Sequence, residues 1–200
     1  MDTFYQQVRD LLLARKKRAI LNPSLKPSAV LLLLYSQANE PHLLLTKRTS
    51  LVDDHKGEIS FPGGAFHHGE DVDLLGTALR ETSEEVGVIS EHVVLLGELD
   101  DMPTRSDYLI SPYVGALTRA QAFVPQPSEV AEVLEIPLKV LMDRKTLRSE
   151  PRQYAGRQVS GFYYLYEENV IWGATARILQ QFLSVLPPAS RNASRPAVVP

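Results

Sequence analysis

The sequence predicts an α/β fold in which one sheet is covered by helices on both faces. Three observations carry that expectation. Ala29 to Tyr35 is an unbroken apolar run without polar alternation, the pattern of a strand buried on both sides. Apolar residues recur at helical spacing in segments 3–17, 71–86 and 173–186, which is enough helix to clothe two faces. The chain has 200 residues, 44% of them hydrophobic and 22% charged, which suits one core rather than several.

In chain order, Phe4, Val8, Leu11 and Leu12 place a helix over residues 3–18, closed by Arg15-Lys16-Lys17-Arg18 read as solvated cations at a helix C-terminus. Pro23 and Pro27 bracket a loop, and Ala29 to Tyr35 then pairs antiparallel with His42 to Arg48. A charged loop, Thr49 to Glu58, leads through Ile59-Ser60-Phe61 to the turn Pro62-Gly63-Gly64. A helix follows from about Asp71 to Val86, where Gly87 stops it. Strands are expected at Val93 to Leu99, Tyr108 to Leu117 and Gly161 to Tyr166. Glu129 to Glu135 reads equally as strand or helix, Leu138 to Met142 as a short helix, and Gly173 to Leu186 as the closing helix. Its Ala176, Leu179, Phe182 and Leu183 share one face. Residues 1–186 form one domain on this reading, and 187–200, with four prolines and no periodicity, a disordered tail.

Composition narrows the function. With 21 basic against 24 acidic side chains, the net charge of −3 gives no field to hold a polyanion, so nucleic acid is not expected as a partner. The absence of cysteine removes thiolate metal sites and cysteine nucleophiles, leaving any metal to oxygen or imidazole. No apolar run approaches the ~20 residues of a membrane span, and neither a signal peptide nor a peroxisomal C-terminus is evident, so a cytoplasmic protein with no membrane partner is expected. A homodimer is compatible with everything in the sequence.

The chemistry is concentrated in Gly63-Gly64 and, sixteen residues on from Gly64, in Arg80-Glu81-Thr82-Ser83-Glu84-Glu85-Val86-Gly87. At ~100° per residue, Leu75, Ala78, Leu79, Thr82 and Val86 form a core stripe, and Glu81, Glu84 and Glu85 fall in the neighbouring sector. Like charges at these spacings cost a bare helix ~0.2–0.5 kcal/mol per pair, and no lysine stands one turn away to relieve them. A hard divalent cation would: carboxylates select Mg²⁺, Mn²⁺ or Ca²⁺, and Mg²⁺ commonly shares its shell with substrate phosphate. Gly63-Gly64 lets backbone approach such an ion closely, so that a carbonyl there can complete the shell. Arg80 is placed to hold Glu70 or Asp71. The histidines His55, His67 and His68 lie nearby without the spacing of a metal site and are assigned to loops.

Gly64, Arg80, Glu81, Glu84, Glu85, Gly87 and Val88 resemble the Nudix box, with Thr82 at a usually aliphatic position and a longer interval before Arg80. Leu44 to Arg48, Gly57 to Gly64, Ser111 to Gly115 and Ile171 to Ala176 resemble further signatures of the coenzyme A pyrophosphatase branch of Nudix hydrolases; Asp53 stands where that branch carries arginine. The resemblance implies an α/β/α sandwich with a mixed sheet between helices. It implies a pyrophosphohydrolase using Mg²⁺ or Mn²⁺ held by Glu81, Glu84, Glu85 and the Gly64 carbonyl. The implied substrate is coenzyme A or its thioesters, cleaved to 3′,5′-ADP and 4′-phosphopantetheine; alternatives are ADP-ribose, a dinucleotide, a nucleoside triphosphate, or binding of nucleotide without turnover. The resemblance leaves the general base open between a glutamate of the box and an acidic residue on a later loop, for which Glu129, with Glu132 behind it, is the candidate. Gly63 and Lys47, Arg48 and Arg105 are the candidates to contact substrate, with Lys56 a further cation; Arg48 and Arg105 suit phosphate best.

Overall fold

The computed structural model describes residues 3–49, 57–154 and 157–187, of which 151–154 and 157–160 are described by backbone alone. The strands are β1 (Lys26–Gln37), β2 (Glu40–Arg48), β3 (Ile59–Ser60), β4 (Gly63–Ala65), β5 (Val93–Glu98), β6 (Met102–Pro103), β7 (Tyr108–Leu117) and β8 (Val130–Pro137) in one sheet, with β9 (Leu147–Tyr154), β10 (Arg157–Tyr166) and β11 (Asn169–Ile171) in a second. The helices are α1 (Thr3–Ala14), α2 (Leu74–Val86), α3 (Leu138–Met142) and α4 (Gly173–Val185). The main sheet is mixed: β1 runs parallel to β7 and antiparallel to β2, and the order along its spine is β3-β2-β1-β7-β5.

Both faces of β1 are covered, as its apolar run requires. Leu32 and Leu34 join Leu43 and Leu45 of β2 beneath α1 (Tyr5, Val8, Leu12) and α4 (Ala176, Leu179, Phe182). Ala29, Leu31 and Leu33 join Leu44 beneath Ala78 and Val86 of α2. The four consecutive leucines Leu31 to Leu34 are wholly buried, each contributing about 1.5–3 kcal/mol relative to exposure. This is the α/β/α sandwich. No helix among the described residues is long and apolar enough to cross a membrane.

The feature that builds the site is a split in the sheet. β1 and β2 pair from Leu34↔Leu43 to Gln37↔Glu40 and then part. Segment 59–65 fills the opening: Ser60 and Ile59 pair with Thr46 and Lys47 on β2, while Gly63, Gly64 and Ala65 pair with Val30, Ala29 and Ser28 on β1. At the corner, the Leu31 amide donates to the Pro62 carbonyl at 2.9 Å, and Phe61 is buried beneath.

Several expectations change. α1 ends at Ala14, and the basic run lies beyond the helix without regular structure; Lys16 and Arg18 are exposed, whereas Arg15 and Lys17 are half-buried. Arg15 pairs with Asp100, and Lys17 Nζ lies 2.7 Å from Glu98 and 3.2 Å from Asp101. Three carboxylates on the β5–β6 turn draw the cations off the helix. α2 begins at Leu74 because Asp73 caps it, its carboxylate accepting from the Gly76 amide at 2.7 Å. Of residues 129–135, 130–135 resolve as strand, since β8 pairs with β2 from His42↔Pro137 to Arg48↔Val130, and Glu129 lies in the turn before it. The short strands β6 and β11 and the polar strand β9 carry no sequence alternation and were not expected. The tail from residue 188 lies outside the described residues.

Candidate active site

Helix α2 lies across the split with its buried seam rotated from the predicted stripe. Thr77, Ala78, Thr82, Glu85 and Val86 are buried, whereas Leu75 and Leu79 are only partly so. A carboxylate therefore occupies a core position. Thr82 resolves its polar group locally, its hydroxyl donating to the Ala78 carbonyl at 2.6 Å. Gly87 takes φ 69° and its amide closes the helix on the Ser83 carbonyl at 2.9 Å.

Glu85 is 3% exposed. Burial, reinforced by the charge of Glu81, pushes its carboxyl up to about 8; Glu129 adds to the rise, while Arg48 and a hydrogen bond from the Gly63 amide act against it. The Thr46 hydroxyl stands at 3.5 Å from both Glu85 Oε2 and the Ser60 carbonyl, the outer limit for a hydrogen bond. Glu81 is also raised, first by burial, with Glu84 and Glu129 adding to it and Arg80 opposing. Its carboxylate lies against Gly64: a Cβ there would stand 2.5 Å from Glu81 Cδ. Gly63 is more tightly constrained, at φ 149° with a Cβ position 2.2 Å from the Ala29 carbonyl, so only glycine fits there; at Gly64 a larger residue would have to push the Glu81 carboxylate aside.

Arg80 is the hub beside this pair. Nε and Nη2 grip both oxygens of Asp71 at 2.8 and 3.2 Å, Nη2 also reaches Glu81 at 2.9 Å, and Nη1 reaches Glu84 at 2.9 Å. Of the two expected partners, Asp71 is the one taken; Glu70 turns instead to His67 Nδ1 at 3.3 Å. The Arg80 hydrogen bonds hold the Asp71 carboxyl well below the usual carboxylate range. Arg80 is also the cation one turn from Glu84 that a search for lysine overlooks, so the glutamates are not left wholly unrelieved. Glu84 remains 57% exposed at the side chain, further out than the other two. Among the described residues, no three carboxylate or imidazole groups are already arranged to enclose an ion.

The remaining candidates separate. Glu129 comes to the site: its carbonyl accepts from Thr49 at the end of β2 at 2.9 Å, while the Gln126 amide three residues earlier donates to the Glu85 carbonyl at 2.8 Å. Lys47 and Arg48, adjacent on β2, go to opposite faces. Arg48 lies on the α2 face with Glu85 in its field, and its Nε is buried without a hydrogen-bond partner among the described residues. Lys47 lies on the other face, at 3.0 Å from Asn169 Oδ1 and 3.8 Å from Glu132, tying the two sheets together. Both Lys47 and Glu132 are thus drawn away from the glutamates. Arg105 is on the exposed β6–β7 turn beyond Tyr108, whose β1 partner Lys26 precedes Ala29 by three residues, about 10 Å along the strand. His67 and His68 are on the exposed loop before α2. Asp53, His55 and Lys56 lie outside the described residues. Thr46 was not singled out in the sequence, although its parity with Leu44 places it on the α2 face. A cavity of about 460 Å³ between Tyr35 and Arg119, at the other end of β1, shares no residue with this site.

A mixed sheet between helices, with a glutamate-bearing helix laid over a glycine-lined split, defines the class as an α/β/α protein with a carboxylate-lined site. A model of the NUDIX domain matches residues 25–155. A Nudix hydrolase NudL of Pectobacterium atrosepticum is 36% identical over 169 residues, covering 80% of this chain and 86% of its own. Another, of Photorhabdus laumondii, is 34% identical over 142 residues, covering 71% and 75%. The crystal structure of a MutT/nudix family protein from Enterococcus faecalis shares the fold with a TM-score of 0.53 at 15% identity, covering 86% of this chain and 65% of that one. The chain belongs to the Nudix family, as a pyrophosphohydrolase of nucleoside diphosphate linkages.

Proposed function

We propose that this hydrolase cleaves coenzyme A, free or acylated, between its two phosphates, releasing 3′,5′-ADP and (acyl-)4′-phosphopantetheine with Mg²⁺ or Mn²⁺. The observation that carries the reaction is the pair Glu81 and Glu85, one turn apart, meeting Gly63 and Gly64 at the split. The substrate rests on the segments Leu44 to Arg48, Gly57 to Gly64, Ser111 to Gly115 and Ile171 to Ala176, which resemble the coenzyme A branch.

The residues present suit a hard divalent ion. Every donor is oxygen, from Glu81, Glu84, Glu85 and the Gly64 carbonyl, and glycine at 64 leaves the Glu81 carboxylate in place. When bound, the ion supplies charge that offsets the diphosphate and lowers the pKa of water. Glu129 takes the proton of the attacking water. The Nε of Arg48, buried and without a hydrogen-bond partner among the described residues, donates to a phosphate oxygen, offsetting the cost of its burial. Arg105, on its exposed turn, meets the more distant 3′-phosphate.

Purified protein incubated with Mn²⁺ and coenzyme A, ADP-ribose, a dinucleotide or a nucleoside triphosphate tests the reading. Release of 3′,5′-ADP from coenzyme A is expected. Turnover of another member with none of coenzyme A overturns the substrate and keeps the reaction. Tight nucleotide binding without turnover of any would make the chain a binding module.

A further inference from the structure

We propose that Arg80 is a built-in stand-in for the divalent ion: it holds Glu81 and Glu84 until the ion arrives, and must then release both while keeping Asp71. The inference rests on the metal site proposed above and adds an exchange between two cations. One guanidinium here serves three carboxylates, so Asp71, Glu81 and Glu84 together keep an excess of two negative charges. A divalent ion carries that charge.

The contacts differ in how readily they can be given up. Asp71 is 1% exposed at the side chain and is held on its other side by the His67 amide at 2.8 Å, so the Nε edge of Arg80 is anchored. It is a bidentate, charge-assisted pair, the strongest arrangement open to arginine. The opposite edge is held by single bonds, from Nη1 to solvent-facing Glu84 and from Nη2 to Glu81. An ion sharing Glu81 and Glu84 competes directly with those Nη hydrogens for the same carboxylates. The described carboxylates are not arranged around an ion, so at least one must move, and Glu84, outermost and tethered among the described residues by Nη1 alone, has the freest path.

Nitrogen-15 NMR of the Arg80 side chain in intact protein, assigned by the signals missing from Arg80→Lys, reads the exchange directly. Without ion, Nε–H and restrained Nη–H₂ signals are expected. At Mg²⁺ saturation, established separately by calorimetry, the Nη1 signal should lose its restraint as Glu84 leaves, while Nε–H and the Nη2 hydrogen on Asp71 persist. An unchanged Nη1 signal at saturation overturns the exchange and leaves the metal site standing. If calorimetry shows no Mg²⁺ uptake that Glu81→Gln removes, the metal site itself fails. In a second measurement, Arg80→Met should bind Mn²⁺ roughly tenfold more tightly, a shift equivalent to about 1.4 kcal/mol. Weaker binding would mean that Arg80 only positions the glutamates.

Discussion

Two ion clusters in this molecule are built from the same side chains and behave in opposite ways. At the β5–β6 turn, Arg15 and Lys17 meet Glu98, Asp100 and Asp101. The remaining lone pairs are taken by neighbours: the Arg18 amide on Asp100, and the Ile20 amide and Ser111 hydroxyl on Asp101. Burial works against the Asp100 charge, yet the Arg18 amide and Arg15 outweigh it and the carboxyl is lowered. Across the split, Arg80 and Arg48 face Asp71, Glu81, Glu84, Glu85 and Glu129, and the carboxyls of Glu81 and Glu85 are raised. One cluster is satisfied and ties the N-terminal segment to the sheet; the other, among the described residues, is short of positive charge. That shortage separates a binding site from a staple.

Glu85→Gln should give the largest effect, reducing hydrolysis by at least about a hundredfold, the scale on which a positioned acid–base or ligand group acts. The same change should stabilise ion-free protein. A carboxyl raised from 4.5 to about 8 contributes stability that is full below the unfolded value and is lost as pH rises through the folded one. Ion-free wild type should therefore lose on the order of 4–5 kcal/mol between about pH 4.5 and 8, and Glu85→Gln should flatten that slope in chelator-treated thermal melts. A steep slope surviving in Glu85→Gln would place the unmet charge elsewhere.

Gly64→Ala comes next. Its methyl would enter the space of the Glu81 carboxylate, 2.5 Å from Cδ, so hydrolysis should drop roughly tenfold or more as the ligand is displaced, a ~1 Å misplacement being enough. Wild-type Mn²⁺ affinity by calorimetry would show that the glycine has no such role. Smaller again is the contrast between neighbours on β2. Arg48→Met should lower kcat/KM about tenfold, the loss of one charged hydrogen bond of about 1.5–3 kcal/mol being partly compensated by water. Lys47→Met should change kcat/KM less than about twofold, because its contacts are to Asn169 and Glu132 on the other face.

The contrast between Lys47 and Arg48 shows where the sequence is informative. Period-two alternation assigns them to opposite faces once Leu44 and Leu45 are known to be buried in different layers, but which layer holds the site depends on where α2 docks. The four leucines and the presence of a helix ending at Gly87 are local signals and were legible, whereas its start, set by the Asp73 cap, was placed a few residues early. Arg80 to Asp71 and Gln126 to Glu85 depend on how loops of nine and more residues close, which no periodicity encodes. β9, with its Arg-Ser-Glu-Pro-Arg-Gln core, is a strand because β10 pairs with it, tertiary context overriding propensity. The basic run after α1 was misjudged for the same reason: its acidic partners lie some eighty residues away.

Lys17→Met tests the satisfied cluster and should have the smallest consequence for chemistry. Lys17 is 25% exposed at its side chain and links Glu98 to Asp101, so its loss leaves two partly buried carboxylates less well paired. A destabilisation of about 1–2 kcal/mol is expected, measured by urea unfolding at neutral pH. Its pH signature is opposite in position to that of Glu85. Burial opposes the Lys17 charge, but Glu98 and Asp101 raise its pKa overall, so the stability it contributes is present below about 10.5 and lost only as pH rises beyond it. Turnover at neutral pH should stay within about twofold of wild type. A tenfold loss with the fold intact would mean that this cluster, two strands from Gly64 through Ala29 and Ser111, belongs to the substrate path after all.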